Sequence, residues 1–347
     1  MPAIHVNSTA PFRADEPYAL SPLEALTSVA AALSWRHTGG EIVLHTDPRG
    51  LRFYEDSGLC DAYSEIDVSI LDGRRKDLGP YLAAAPCLGR MLVLGAMERP
   101  FVALDLDFVL FDDGRFPYSA TDLCCFHWEL PASPWYPEAS ELFVPAGFAL
   151  PDGLDYLSLV PNIAFLYVGD IAFFRAYAAM AADYVMRAVD QQTGVAANKI
   201  AIFADQRLLG MLAQRSALTF DTLRNDIWTC GPVGERWEVL DYEGGIRPAS
   251  DFRDLVAPFW VLDRHRFDPR KEAVDCVHLW FEKPRFSEGG RHASRRTRLI
   301  ERLVDRVKKD FGSLPVAGKL FDILESSGFG ISAPRQSVRG STRGPAA

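Results

Sequence analysis

Asp105 and Asp107 stand one residue apart inside an apolar run, Pro100 to Phe111, which reads PFVALDLDFVLF. Val, Leu and Phe in such a run favour a buried strand, and strand side chains alternate, so the two carboxylates are expected on one face. Paired acids there repel each other and lose hydration. A divalent cation held by oxygen ligands removes both costs. The plainer alternative is that one acid caps a turn while the other pairs with an arginine. With a cation, the pair can neutralise negative charge that develops on a leaving group.

The elements that must position this pair follow a repeating pattern. Ala3 to Ser8 is expected as a first strand. Ser21-Pro22-Leu23-Glu24 reads as a helix start, with Ser21 as cap, Pro22 in the first turn and Glu24 closing a capping box. Gly39-Gly40 stops that helix. Glu41 to Asp47 (EIVLHTD) is a second strand, followed by a short helix to about Leu59, a third strand at Tyr63 to Leu71, and a helix from Pro80 to Met97 that feeds into the Asp105/Asp107 strand. Strand and helix in alternation imply an α/β fold with a mostly parallel, Rossmann-like sheet flanked by helices. The ligand crevice of such a sheet lies beyond the carboxyl ends of its strands, where Thr46, Asp47 and the acid pair are expected.

Beyond Asp112-Asp113-Gly114, Thr121 to Leu130 is strand-like and Pro131 to Pro151 reads as a long functional loop. Asn162 to Val168 is another strand. Asp170 then caps a helix to about Val189, and a further helix spans Asn198 to Ala213. Short strands are expected at Leu218 to Leu223, Trp237 to Tyr242 and from Cys276. Arg295 to Phe311 is an amphipathic helix carrying Leu299, Ile300, Leu303, Val304, Val307 and Phe311 on one side. The domain reading is one α/β domain over 1–284, a basic helical extension over 285–331 and a disordered tail over 332–347.

The net charge of −9 and the 48% hydrophobic content fit a large core and argue against general nucleic-acid binding. From Arg285 onward there are 13 Lys/Arg and 6 Asp/Glu, a balance of +7, which leaves −16 on the preceding body. The basic end offers a peripheral contact with anionic lipid; the alternative is a helix packed on the domain with a solvated cationic face. Six cysteines without CxxC spacing read as reduced thiols of a cytoplasmic protein and not as a zinc site. The N-terminus has no signal-peptide pattern, and no uncharged apolar run is long enough to span a bilayer.

Four segments in order resemble the GT-A class of nucleotide-sugar-dependent glycosyltransferases, closest to the bacterial capsule-type and sugar-binding DXD groups. They are EIVLHTDPRG, CLGRMLVLGAMERP running into FVALDLDFVLF, VPNIAFLYVGDIAFFRAY, and VHLWFEKP. The resemblance implies a single GT-A-like domain and transfer of a sugar from a nucleotide-diphosphate donor to a glycan or lipid-linked acceptor, with a lean toward retention of configuration. It implies Mn²⁺ or Mg²⁺ on Asp107, with Asp105 on the ribose or on the metal through water, and His278 as a third ligand; the alternative for His278 is a strand histidine packed beside Trp280. Lys283 would lie on the diphosphate. Asp205 and Gln206 fall where relatives place an acid or amide beside the transferred sugar; the alternative is the polar face of a helix. Asn162 is expected to bind sugar hydroxyls or the acceptor; the alternative is an ordinary turn residue. Arg90, on the helix before the acid pair, can reach the diphosphate or ribose, or be a simple ion-paired residue. Thr46 and Asp47 can hold the base or ribose, or end a strand and cap the next helix.

Two rival readings stand beside this. ALDLDFVLFDDG also resembles the opening motif of haloacid dehalogenase-type, Mg²⁺-dependent phosphatases, with Asp105 as nucleophile and Asp107 as acid. A protein that binds nucleotide-sugars without turning them over is the other.

Overall fold

The computed structural model describes residues 1–12, 15–114, 116–129, 131, 136, 140–191, 197–225, 227–228, 268–279 and 293–327. The N-terminal half alternates as expected. β1 (Pro2–Asn7) leads to α1 (Pro22–His37), β2 (Glu41–Thr46), α2 (Pro48–Ser57), β3 (Glu65–Asp67), α3 (Ser69–Ala84), α4 (Cys87–Gly95) and β4 (Phe101–Leu104). Ser21 and Glu24 form the full capping box of α1. Then come β5 (Phe108–Asp112), β6 (Leu123–Glu129), β7 (Val160–Val168), α5 (Ile171–Asp190), α6 (Ala197–Ile202) and α7 (Leu208–Arg215). A π-helical turn, Phe203–Arg207, joins α6 to α7. The remaining elements are β8 (Phe220–Thr222), β9 (Ile227–Trp228), β10 (Asp275–His278), α8 (Ala293–Phe311) and α9 (Pro315–Ser326).

The main sheet runs β3-β2-β1-β4-β7-β6-β8, with β9 also on β6. All pairings are parallel except the two made by β7, which runs against both β4 and β6. This mostly parallel sheet flanked by helices is the α/β architecture expected from the alternation. The reversal of β7 has a topographic result. Its first residues meet the carboxyl ends of β4 and β6, so Val160 pairs with Glu129, and Ala164 accepts the Asp105 amide at 2.8 Å. The ends of β1, β2 and β4, the start of β7 and the end of β6 therefore share one edge.

Several boundaries differ from expectation. The run through Asp105 and Asp107 is not one strand. It breaks at Asp105 into a tight turn closed by the Phe108 amide on the Asp105 carbonyl (3.0 Å), and restarts as β5, which leaves the main sheet to pair antiparallel with β10. The third strand is only Glu65–Asp67, because Asp67 Oδ1 accepts the Ser69 amide at 2.7 Å and starts α3 there. The helix expected from Pro80 to Met97 is two, parted at Ala85-Pro86, with Pro80 inside α3. α9 falls within the helical extension expected over 285–331, as a second helix after the one expected at Arg295 to Phe311. The strand expected at Trp237 to Tyr242 and the tail from Ser332 lie outside the described residues.

Two hydrophobic clusters cover the two faces of the sheet. One joins α1 and the β5–β10 ribbon to Ile300, Leu303, Val304, Val307 and Phe311 of α8 and to α9. The apolar side of α8 is thus spent inside the core, each side chain contributing about 1.5–3 kcal/mol by burial. The other cluster packs α3, α4, α5 and α7 on the opposite face. Gly210 lets α7 sit against the start of β7: a Cβ there would meet Pro161 Cδ at 2.8 Å and the Leu159 carbonyl at 2.9 Å. Among the described residues no helix is long and apolar enough to cross a membrane.

Candidate active site

The turn between β4 and β5 presents Asp105 and Asp107 at the shared sheet edge. β10, paired to β5, places His278 opposite Phe108. One ligand atom from each of Asp105, Asp107 and His278 lies within 4.8 Å of the others, and His278 Nε2 is 3.6 Å from Asp107 Oδ1. Donor atoms held about 2.1 Å from one ion are themselves roughly 3–4 Å apart, so the spacing suits a shared cation. Two carboxylates and an imidazole suit Mn²⁺ better than Mg²⁺. The His278 ring is wedged edge-on against Phe108 and Phe126, with centroids 6.0 and 5.9 Å away. Its Nδ1 is buried and has no hydrogen-bond partner among the described residues.

Arg90 projects from α4 onto this cluster. Its Nη1 donates to Asp105 Oδ1, and its Nη2 donates to the Ile163 carbonyl at 2.6 Å. The guanidinium thereby ties the acid turn to the start of β7. Burial pulls its pKa down, but Asp105 and Asp205 outweigh that and push it up. Asp205, half-buried on the π-turn, is pushed up to about 6: burial is the main cause, Asp105 adds to it and Arg90 opposes it. The Tyr177 hydroxyl bonds to the carbonyls of Ala204 (2.9 Å) and Asp205 (2.7 Å), and so holds that turn. π-turns of this kind recur at functional sites because the extra residue re-aims the side chains. A cavity of about 280 Å³ opens here, lined by Ile4, Val6, Arg90, Ala103, Asp105 and Asp107. That room suits a hydrated cation and phosphate groups, and is below the usual span of a pocket for a whole small-molecule ligand.

The raised Asp205 pKa has a measurable consequence. Unfolded, this carboxyl titrates near 3.8, and folded near 6, so the native state binds the extra proton between those values and stability falls as pH rises through the window. Asp205→Asn should flatten that slope. Relative to wild type, the variant is expected to gain about 1–2 kcal/mol on going from pH 4 to pH 7, allowing for partial exposure; urea unfolding at both pH values measures it.

A second polar group adjoins the first. Asn162, on β7, donates from Nδ2 to Glu129 Oε1 at 2.7 Å. The Tyr136 hydroxyl lies 2.6 Å from Glu129 Oε2 and 2.8 Å from Gln206 Oε1. Glu129 ends β6 at 4% exposure, and burial is the main force raising its pKa, partly offset by Asn162, Tyr136 and His278. Sequence reasoning missed Glu129 and Tyr136. A carboxylate closing an otherwise apolar strand, LCCFHWE, was the available signal. It missed His5 too, a fully buried imidazole on β1 whose pKa is pulled down to about 3 by burial, with Asp107 opposing and Arg90 assisting.

The structure therefore brings together Asp105, Asp107, His278, Arg90 and Asp205, with Asn162 and Gln206 alongside. Thr46 and Asp47 are engaged elsewhere. Asp47 caps α2, taking the amides of Arg49 (3.0 Å) and Gly50 (3.1 Å), and binds the Thr9 amide and hydroxyl, each at 2.8 Å. Thr46 Oγ1 donates to the Asn7 carbonyl at 2.7 Å. Both are buried and serve the β2–α2 corner. Lys283 lies outside the described residues.

No protein-family model matches the sequence, and no curated protein matches it. Among solved structures, mouse xyloside xylosyltransferase 1 in its apo form is similar at 13% identity with a TM-score of 0.29, over 64% of this chain and 84% of that one. The inositol-1-phosphate CTP transferase from T. maritima is similar at 9% identity with a TM-score of 0.28, over 71% of this chain and 97% of that one. Likenesses this distant carry no weight for function, which rests on the site itself.

Proposed function

We propose that the protein is a glycosyltransferase that moves a sugar from a nucleotide-diphosphate donor to an acceptor. The supporting observation is the convergence of Asp105, Asp107 and His278 at the carboxyl edge of a mostly parallel sheet, beside the half-buried Arg90. Asp107 and His278 would hold the cation directly, and Asp105 would bind the donor ribose, or the cation through water, with its oxygen not engaged by Arg90. The cation, when bound, neutralises the diphosphate as the glycosidic bond breaks. Arg90 orients the acid turn and adds positive charge on the leaving-group side. Asp205, Gln206 and Asn162 line the flank where the transferred sugar lies, and Lys283 is assigned to the diphosphate.

Asp105 as a phosphatase nucleophile fits less well, because its carboxylate is already engaged by Arg90. The deciding experiment is calorimetric titration with UDP and GDP, with and without Mn²⁺, followed by a screen of UDP- and GDP-sugars for slow donor hydrolysis. Binding that needs Mn²⁺ and a hydrolysed sugar donor support the transferase. Phosphate release from p-nitrophenyl phosphate without nucleotide binding overturns it.

A further inference from the structure

The polar chain beside the acid pair has a direction, and the direction is set by the backbone. The Ala164 amide donates to Asn162 Oδ1 at 3.1 Å. That orients the Asn162 side chain and makes its Nδ2 the donor to Glu129 Oε1. At the far side of the carboxyl group, Tyr136 Oη sits between two acceptors, Glu129 Oε2 and Gln206 Oε1. A phenolic hydroxyl owns one proton. If Glu129 is ionised, Tyr136 can serve the carboxylate or the amide carbonyl, and the other close pair is left as two facing lone pairs. If Glu129 carries a proton, it donates to Tyr136 and Tyr136 donates to Gln206 Oε1, so each of these two close contacts has a donor. Burial acts in the same sense on Glu129 and is the largest influence, while the hydrogen bonds from Asn162 and Tyr136 and the nearby His278 act the other way.

We propose that Glu129 is a positioning residue: through the Tyr136 hydroxyl it holds the Gln206 carbonyl inward and turns the Gln206 amide N–H end toward the crevice. There Nε2 is a hydrogen-bond donor for a hydroxyl or oxyanion of the ligand. The identity of that ligand rests on the transferase reading; the coupling does not. Among the described residues, the Tyr136 hydroxyl is the group that contacts both Glu129 and Gln206.

The test is a double-mutant cycle on unfolding equilibrium constants, which requires no substrate. Glu129→Ala and Gln206→Ala are made singly and together, in wild type and in Tyr136→Phe. Their effects should fall short of multiplicativity by about fivefold or more in wild type, and multiply in the Tyr136→Phe background. Glu129→Gln is the discriminating variant. Its amide can donate to Tyr136 and accept from Asn162, so it reproduces the proton-bearing form. Turnover of a sugar donor should stay within about threefold of wild type in Glu129→Gln. It should drop about tenfold or more in Glu129→Ala and Tyr136→Phe, with Mn²⁺-dependent nucleotide affinity changed by less than about twofold. A Glu129→Gln variant as impaired as Glu129→Ala, a coupling that survives Tyr136→Phe, or strict multiplicativity in wild type each overturn the proposal. Absence of Mn²⁺-dependent nucleotide binding in wild type overturns the transferase reading instead, and leaves the unfolding cycle readable.

Discussion

Asp107→Asn should abolish Mn²⁺-dependent nucleotide binding, with a loss of at least about 100-fold in metal affinity, while the protein stays folded. The Asp107 side chain is 11% exposed and its Oδ1 faces His278 Nε2. Asparagine keeps the shape and removes the charge, and a neutral amide is a weak ligand for a hard cation. The fold has a separate anchor at this position: the Asp107 carbonyl accepts the Leu279 amide at 2.9 Å, which ties the acid turn to the end of β10 whatever side chain is present. Circular dichroism and thermal melting should therefore be close to wild type. Titration with UDP or GDP in the presence of Mn²⁺ reads the effect, and wild-type affinity in this variant would remove the cation from the mechanism.

Arg90→Met is expected to act on stability as well as on binding. Methionine matches the aliphatic stem but leaves Asp105 without its guanidinium and the Ile163 carbonyl without its donor. Asp205 also loses the positive charge that opposes its burial. Loss of hydrogen bonds to charged partners in a half-buried setting costs about 2 kcal/mol. In the same variant Mn²⁺ is expected to stabilise the fold more than it does in wild type, since Asp105 becomes free to join Asp107 on the cation. Denaturant unfolding with and without Mn²⁺ measures both effects. An Arg90→Met protein as stable as wild type would mean that the guanidinium is a bystander.

What the sequence disclosed depended on whether a signal is local. The capping box at Ser21 and Glu24, the Asp170 cap of α5 and the strand–helix alternation are short-range chemistry, and each stands where it was expected. The alternatives at Asp47 illustrate the limit. Strand-end acid and helix cap look alike in sequence, and only Thr9, arriving from the end of β1, shows where the carboxylate is committed. The acid pair was legible as a pair but not as a turn. β5 leaves the main sheet because β10 waits for it more than 150 residues later, and apolar periodicity carries no trace of that partner. Glu129 escaped for the same reason: nothing near it in the chain announces that Asn162, Tyr136 and Gln206 will converge on it. In place of the single amphipathic segment expected at the C-terminus there are two helices, and Val316, Ala317, Leu320 and Leu324 of α9 are buried in the core.

The reversal of β7 bears on how such a molecule can diversify. The chain departs from the scaffold at Glu129 and rejoins it at Val160 on the same rim, so whatever is threaded between those points changes neither the number of strands nor the handedness of any crossover. Arg207 clasps that excursion near both ends, at the carbonyls of Pro131 (3.4 Å) and Tyr156 (2.5 Å). Between those two clasps the Tyr136 hydroxyl reaches Glu129 and Gln206, and the Phe143 carbonyl accepts the Tyr184 hydroxyl at 3.0 Å, so the excursion is itself fastened to the frame and a change in its length is felt at the rim.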